Sequence, residues 1–267
     1  MAATLDQVRT RTAKRDEDPL LSTFTERLIK KADPNFLEAF NADTITAMAR
    51  EAFTFLRDAH EGGLHVAAYQ PDATRHGWTG PFTVLHVAVR DRPFLVDSVR
   101  AELDRNGVTT HHLLHPIYRV VRNDAGEITA LHTHGDAGTP ISFELIILEA
   151  IDEAETRDAL VGNVKRVLQD AILATDDYAA MRSKARDVAD RLRDLRHRAA
   201  QGPLRERGEE IEEYAAFLDW LDDDNFVFLG YREYDIGEHE GVRTLQADAD
   251  SALGILRKLD RSAFQDA

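Results

Sequence analysis

The spacing of apolar residues changes several times along this chain, and each change marks a change in predicted structure. Over residues 19–60 the apolar positions recur every three or four residues, which is typical of an amphipathic helix. Over residues 64–151 most of them alternate with polar positions, as in half-buried strands. Helical spacing returns over residues 152–221, and a strand-like alternation follows over residues 226–245.

These changes predict four segments. We expect a helical N-terminal segment over residues 1–60, an α+β domain over 61–175, a helical connector over 176–224, and the start of a second sheet domain, truncated, over 225–267. The middle segment reads strand, helix, strand, strand, strand, helix. That order is typical of a ferredoxin-like βαββ core with an inserted hairpin, so the predicted fold class is α+β.

One predicted strand of the middle segment is unusually long. It runs from Val108 to Val121 and contains Pro116. Proline cannot donate a hydrogen bond to a neighbouring strand, so we expect an edge strand or a bulge at this position.

The composition of the chain excludes some classes of binding partner. The 267 residues carry a formal net charge of −15, which argues against a nucleic-acid or anionic-membrane partner because phosphate groups bind to basic surfaces. The chain has no cysteine, and no apolar run approaches the roughly 18 residues that a membrane span requires. The polar first residues contain no signal-like apolar core. A cytoplasmic protein is therefore expected.

Several histidines suggest metal chemistry at first inspection. They are His111, His112, His115, His132 and His134, and the last two share one face of a predicted strand. Three of them could form a histidine-based metal site in an enzyme. The alternative is that they are polar positions on a sheet or core histidines bonded to the backbone. Their spacing matches no metal-binding motif, so we predict no metal site.

No catalytic constellation is recognisable. The chain has no dinucleotide fingerprint, no phosphate-binding loop and no nucleophile elbow. Pairs of carboxylates such as Asp91 and Asp97 arise by chance in a chain with 48 acidic residues. We therefore predict no catalytic residue and no cofactor-binding residue in this region.

The turn before the first helix of the α+β domain is the candidate ligand site. Its residues are Asp91, Pro93, Phe94, Asp97 and Ser98. In a structural interpretation this is a tight strand-to-helix connection, with Pro93 at the start of the helix. In a functional interpretation, free N–H groups at the helix start bind the carboxylate of a small molecule. A carboxylate in the first turn, as at residue 97, is favourable for the helix dipole alone.

These residues carry a resemblance to a known family. Residues 91–107, followed by a strand, resemble the first half of an ACT domain, the amino-acid-binding regulatory module of many metabolic enzymes. Residues 93–99, 111–116 and 226–234 also resemble the N-terminal region of the large bacterial NAD-specific glutamate dehydrogenases. The resemblance implies a parent enzyme that oxidatively deaminates L-glutamate to 2-oxoglutarate and ammonia, with NAD as its cofactor.

In that family the catalytic lysine and aspartate and the NAD-binding domain lie far downstream, so none of them corresponds to a residue here. The resemblance implies a regulatory or assembly role for this region, with the rest of the parent chain and a homo-oligomer as partners. Amino-acid-binding ACT domains usually have glycine where this chain has Phe94. We therefore favour assembly over the alternative, an amino-acid sensor.

The last predicted hairpin carries apolar side chains that another element should bury. Large apolar side chains occupy both faces of its first strand from Phe226 onward. We expect this strand to be buried on both sides or covered by a partner. It should pack on the helix that contains Phe217 and Trp220, or pair with another copy of the chain.

Overall fold

A computed structural model of the protein describes residues 6–8, 10, 18–59, 63–199, 205–239 and 242–258. It forms two compact units that divide between Gln169 and Asp170. The division into four segments stays a prediction, and its extreme ends fall partly outside the described residues.

The first unit opens with a layer of helices, as the apolar spacing predicted. The helices are α1 (Pro19–Lys30), α2 (Pro34–Ala39) and α3 (Ala42–Asp58). Asp18 caps α1 by accepting the N–H of Leu20 at 2.9 Å, and Asp33 caps α2 by accepting the N–H of Phe36 at 2.8 Å. Both of these helices have proline at their first position, where no backbone donor is lost.

The start of α3 shows which of several polar residues caps a helix. Asp43 and Thr44 are typical N-cap residues, and the sequence favours either as the cap, but both lie inside the helix. The cap is Asn41, whose side-chain oxygen accepts the N–H of Thr44 at 2.9 Å. Asn41 is extended and stands three residues before that N–H, which is the spacing a capping side chain needs.

A mixed layer of strands and helices follows. Its elements are β1 (His65–Tyr69), β2 (Phe82–Arg90), α4 (Leu95–Arg105), β3 (Thr110–Leu114), β4 (Ile117–Arg122), β5 (Ile128–His132), β6 (Thr139–Glu149) and α5 (Ala154–Asp176). The six strands form one sheet in the order β1-β2-β6-β4-β5, with β3 also paired to β6. All pairings in this sheet are antiparallel. The strand β6 therefore lies between β2 and β3, which α4 connects. This arrangement confirms the α+β, ferredoxin-like class.

The long strand predicted over residues 108–121 is interrupted. It breaks at His115 and Pro116 into β3 and β4. Both halves pair with β6, β3 opposite its second half and β4 opposite its first. The proline supplies only its carbonyl, which accepts the N–H of Phe143 at 3.1 Å. The irregularity expected at Pro116 is therefore a complete break between two strands rather than a bulge within one, because the missing N–H ends the regular ladder here.

The helical layer packs on one face of the sheet through aromatic rings. The ring of Phe24 in α1 stacks on Tyr118 of β4, with centroids 4.7 Å apart, and meets Phe143 of β6 edge-on at 5.4 Å. The Tyr118 hydroxyl also donates to the Phe24 carbonyl oxygen at 2.8 Å. All three side chains are fully buried. This contact joins the first helix to the centre of the sheet.

The opposite face of the sheet is covered by α4 and α5. Strand alternation places Leu85, Val87 and Ile146 on that face, and all three are fully buried. Val99 of α4 and Val164 of α5 are buried as well. The unit is thus three layers deep, with helices on both faces of the sheet.

The second unit is smaller, and ion pairs contribute more of the contacts between its elements. It contains the helices α6 (Tyr178–Ala199) and α7 (Gly208–Trp220) and a hairpin of β7 (Gly230–His239) and β8 (Val242–Gly254). The hairpin lies on α6, where Lys184 pairs with Glu233 at 2.9 Å. Before α6, Asp177 accepts the N–H of Gly254 at 2.7 Å and pairs with Arg257 at 2.5 Å.

The hairpin is less covered than predicted. Its first strand begins at Gly230 rather than at Phe226, and Phe226, Val227 and Leu229 are about half exposed at 57%, 45% and 54%. Burial on both sides by this chain is therefore wrong. The predicted contact with the helix of Trp220 is made by Phe226, whose ring centre lies 5.8 Å away. Coverage by a partner stays a prediction.

Two ionisable side chains are buried in the sheet of the first unit without a charge partner. Glu144 of β6 is fully buried, and neither of its carboxylate oxygens has a hydrogen-bond partner among the described residues. Burial raises the pKa of Glu144 to about 8. His86 of β2 is 1% exposed, and burial, with a smaller effect of His76, lowers its pKa to about 3. The folded state thus keeps both side chains neutral at pH 7.

This pair predicts how stability depends on pH. Between about pH 4.5 and 6.5 the folded protein holds one proton on Glu144 and the unfolded chain one on His86, so their effects cancel. Above 6.5 only folded Glu144 holds a proton, and stability falls by up to about 1.4 kcal/mol per pH unit until pH 8. Below 4.5 the unfolded chain holds the extra proton, and stability falls with decreasing pH until about 3.

Urea unfolding between pH 5 and pH 9 measures this dependence. The variant Glu144→Gln should lose the decline between pH 6.5 and 8, because glutamine cannot release a proton there. The wild-type protein and His86→Phe should both retain it. An unchanged decline in Glu144→Gln would show that another group causes it.

Candidate functional site

The candidate site begins where β2 ends. The N–H of Asp91 donates to the carbonyl oxygen of Pro140 at 2.8 Å, which fixes the turn to the start of β6. The helix α4 begins at Leu95, so the predicted helix start at Pro93 is wrong by two residues. The reason is Phe94, which has a left-handed backbone with φ of +70°. A residue in that conformation cannot belong to the helix.

The N-terminus of α4 has no side-chain cap. The N–H of Ser98 donates to the carbonyl oxygen of Phe94 at 3.0 Å and closes the first helical turn. The N–H groups before it are those that helices leave for a capping side chain, water or a ligand. Asp97 lies in this turn and is exposed, and the Phe94 side chain is 46% exposed. The residues predicted from sequence therefore surround one helix start.

The fold adds two residues to this turn. At the break between β3 and β4, Nε2 of His115 lies 2.7 Å from Oγ of Ser142. Burial lowers the pKa of His115, while the charge of Asp91 acts in the opposite direction. The sequence singled out the histidine only as a metal candidate, and it missed Ser142. The available signal was that Ser142 and Glu144 are the two polar residues in the otherwise apolar run over residues 140–148 of β6.

This serine–histidine contact is structural in character. Ser142 is fully buried, so no substrate carbonyl could reach its hydroxyl. The bond instead gives a buried hydroxyl its partner and holds the strand break in place. The arrangement can position a carboxylate or another anion at the helix start, but it supplies no accessible nucleophile.

The other histidines are dispersed. The ring of His112 contacts Phe36 and Phe40 edge-on, and its Nδ1 lies 3.8 Å from a carboxylate oxygen of Asp33. His111 is exposed on β3. Across the part of the chain that the structure describes, no three histidine, aspartate or glutamate side chains are close enough to hold a metal ion.

An open cleft lies at the far end of α4, away from the turn. Its volume is about 680 Å³, and charged side chains of both signs line it. Arg100 and Asp104 of α4 form one wall, and Thr110 to Leu113 of β3 form another. The sequence did not predict this cleft, because it depends on how the end of a helix meets an edge of the sheet.

The fold and the turn together define an ACT-type α+β domain with a helix start as its candidate ligand site. The chain belongs to the family described as "Glutamate dehydrogenase, ACT1 domain", whose model matches residues 24–164, more than half of the chain. That match contains the whole sheet and both faces of its core. The resemblance stated from sequence is therefore confirmed.

Curated relatives extend the similarity into the second unit. The chain is 29% identical over 251 residues to the NAD-specific glutamate dehydrogenase of Pseudomonas aeruginosa, which is 93% of this chain and 15% of that protein. It is 31% identical over 228 residues to the enzyme of the same name from Halomonas elongata, covering 84% of this chain and 14% of that protein. A relative of that name from Mycobacterium tuberculosis is 26% identical over 215 residues, 79% of this chain and 12% of that protein. The chain thus spans 12–15% of the length of these relatives.

Among the helices that the structure describes, none is long and apolar enough to cross a membrane.

Replacing Phe94 tests whether the turn requires its left-handed backbone. Glycine adopts φ of +70° without strain, whereas alanine retains the clash of its Cβ atom. Phe94→Gly should therefore be more stable to urea than Phe94→Ala by about 1 kcal/mol. Both variants lose the same ring, so the difference isolates the backbone. Equal stabilities would mean that the turn relaxes to an ordinary conformation.

Proposed function

We propose that this chain is the N-terminal, non-catalytic region of an NAD-dependent glutamate dehydrogenase. The complete polypeptide would oxidatively deaminate L-glutamate to 2-oxoglutarate and ammonia and would bind NAD outside residues 1–267. The observation that carries the proposal is the family match over residues 24–164, together with relatives several times longer than the chain. A cytoplasmic location stays a prediction.

Within that enzyme we assign this region to assembly first. Phe94 is the main support, because its side chain stands at the helix start where a bound amino acid would approach the backbone. The sheet offers contact surfaces, since β1 and β5 are its terminal strands and their outer edges pair with no other strand of that sheet. A homo-oligomer and the rest of the parent chain are the partners we propose.

Amino-acid sensing is the second candidate. It is favoured by the uncapped start of α4, where backbone donors and the helix dipole would attract a carboxylate. The ligand would contact the turn formed by Asp91, Pro93, Phe94, Asp97 and Ser98. Asp97 is the exposed acidic side chain of this set that lies in the helix itself, and it could pair with an ammonium group.

An activity assay tests the main proposal. The full-length product of the gene that encodes this chain should reduce NAD in the presence of L-glutamate. The 267-residue chain should not, because it contains no dinucleotide fingerprint and no candidate base. Glutamate-dependent NAD reduction by the short chain would contradict the assignment, as would an inactive full-length product with a native fold.

Calorimetric titration with the common amino acids separates the two roles. If the region serves assembly, none of the amino acids should give a saturable heat of binding. Removing the region from the enzyme should then change the oligomeric mass measured by light scattering. Binding of one amino acid that is lost in Asp97→Ala but kept in Asp187→Ala would instead establish sensing. Asp187 is a matched control because it is an exposed aspartate within a helix and belongs to the other unit.

A further inference from the structure

The helix α7 carries a row of large aromatic side chains on its exposed side. Tyr214, Phe217 and Trp220 follow one another at intervals of three residues, which places them along one side of the helix. They are 50%, 54% and 48% exposed. The other side of α7 is buried, since it carries Ile211 and Ala215, which are 7% and 0% exposed.

The row continues beyond the end of the helix. The rings of Phe217 and Trp220 stack with centroids 6.0 Å apart, and the ring of Phe226 lies 5.8 Å from Trp220. Val227 and Leu229 extend the apolar surface toward the hairpin, each about half exposed. We call the surface formed by residues 214, 217, 220, 226, 227 and 229 the aromatic face. Contiguous apolar surfaces of this kind mark interaction sites, whereas single exposed apolar residues do not.

A turn that hydrogen bonds and ion pairs hold in place fixes the position of the aromatic face. The chain leaves α7 through one π-type turn over Leu221–Asn225, in which Asp224 has a left-handed backbone with φ of +56°. The side-chain amide of Asn225 donates to the carbonyl oxygen of Trp220 at 2.8 Å. Asp222 pairs with Arg182 at 2.5 Å and with Arg186 at 2.6 Å, so the turn is fastened to α6. Phe226 is thus placed against Trp220 before any partner arrives, which lowers the entropy lost on binding.

The charges beside the aromatic face argue against a second copy as its partner. Glu213 and Asp223 adjoin residues of the face in sequence, and Glu209 lies one helical turn before Glu213. All three are exposed and make no ion pair among the described residues. In a two-fold contact the same surface meets itself, so these carboxylates would approach carboxylates. Like charges across an interface oppose association.

We infer that the aromatic face is the docking surface for another domain of the same glutamate dehydrogenase polypeptide. This inference rests on the proposed function. The chain spans 12–15% of the length of its relatives, so most of such a polypeptide lies outside residues 1–267 and is joined covalently to this unit. The docked domain has an apolar patch that receives Phe217 and Trp220, and a basic rim that faces Glu209, Glu213 and Asp223. Aromatic anchors within a charged rim are the usual anatomy of a specific interface.

Hydrogen exchange followed by mass spectrometry tests this inference on two proteins, the full-length enzyme and the 267-residue chain. Amides of residues 214–229 should exchange at least tenfold more slowly in the full-length enzyme. The variant Phe217→Ser in the full-length enzyme should restore the faster exchange. Ile236→Ser is the matched control, because Ile236 is 75% exposed near the far end of the hairpin and outside the aromatic face. That variant should leave the protection unchanged.

A photoreactive phenylalanine analogue at position 217 identifies the partner. Crosslinks to peptides of the same polypeptide outside residues 1–267 would support the inference. Crosslinks between two copies of residues 1–267 would overturn it, as would protection of residues 214–229 that is already present in the short chain. Equal exchange in both proteins would overturn it as well. If the full-length enzyme oxidises glutamate but leaves the face unprotected, the docking inference fails and the proposed function stands.

Discussion

The architecture of the first unit depends on one contact between a helix and the sheet. The Tyr118 hydroxyl donates to the carbonyl oxygen of Phe24, and the rings of the same two residues stack on each other. A buried hydroxyl without a partner would cost about 1–3 kcal/mol, so helix and sheet satisfy one another here. Burial raises the pKa of Tyr118 well above its ordinary value, and the group therefore stays a donor at every relevant pH. The rings of Phe53 and Phe143 also contact the ring of Phe24.

A second contact fastens the other end of the helical layer. The guanidinium of Arg122, at the end of β4, donates to the carbonyl oxygens of Leu56 at 2.8 Å and Ala59 at 2.5 Å. The last carbonyls of a helix have no partner within the helix, and a cation there also meets the negative end of the helix dipole. Tyr118 and Arg122 belong to the same short strand. One short strand thus secures both α1 and the end of α3.

The features of the fold that depend on nearby residues in the chain could be predicted from the sequence. The apolar spacing over residues 19–60 predicted helices, and α1, α2 and α3 form there. Pro116 predicted an irregularity in its strand, and the chain breaks there into β3 and β4. The failures depend on tertiary structure. Nothing near Phe94 in the sequence indicates a left-handed backbone, because bulky side chains rarely adopt it. The burial of Glu144 was not predicted either, because it depends on the helices that cover its face of the sheet.

In the candidate site too, local features were predicted from the sequence and tertiary contacts were not. The turn residues were found from their order along the chain, because a strand followed by proline and a helix is a local pattern. His115 and Ser142 were not paired in advance, since 27 residues and a hairpin separate them. Their contact depends on the register of β4 on β6, in which Ile117 stands opposite Ser142. Register follows from the packing of a whole face, and no short motif records it.

The two units are stabilised in different ways, and this difference bears on their roles. The first has an aromatic core on one sheet face and amphipathic helices on the other, and within its described residues Glu144 and His86 are buried without charge partners. The second relies on ion pairs at its surface, such as Arg196 with Glu212 at 2.6 Å. Exposed pairs of this kind contribute little each and are weakened by salt. A unit built in this way gains most from a partner that buries its exposed aromatic side chains, since apolar burial is the stabilising term it lacks.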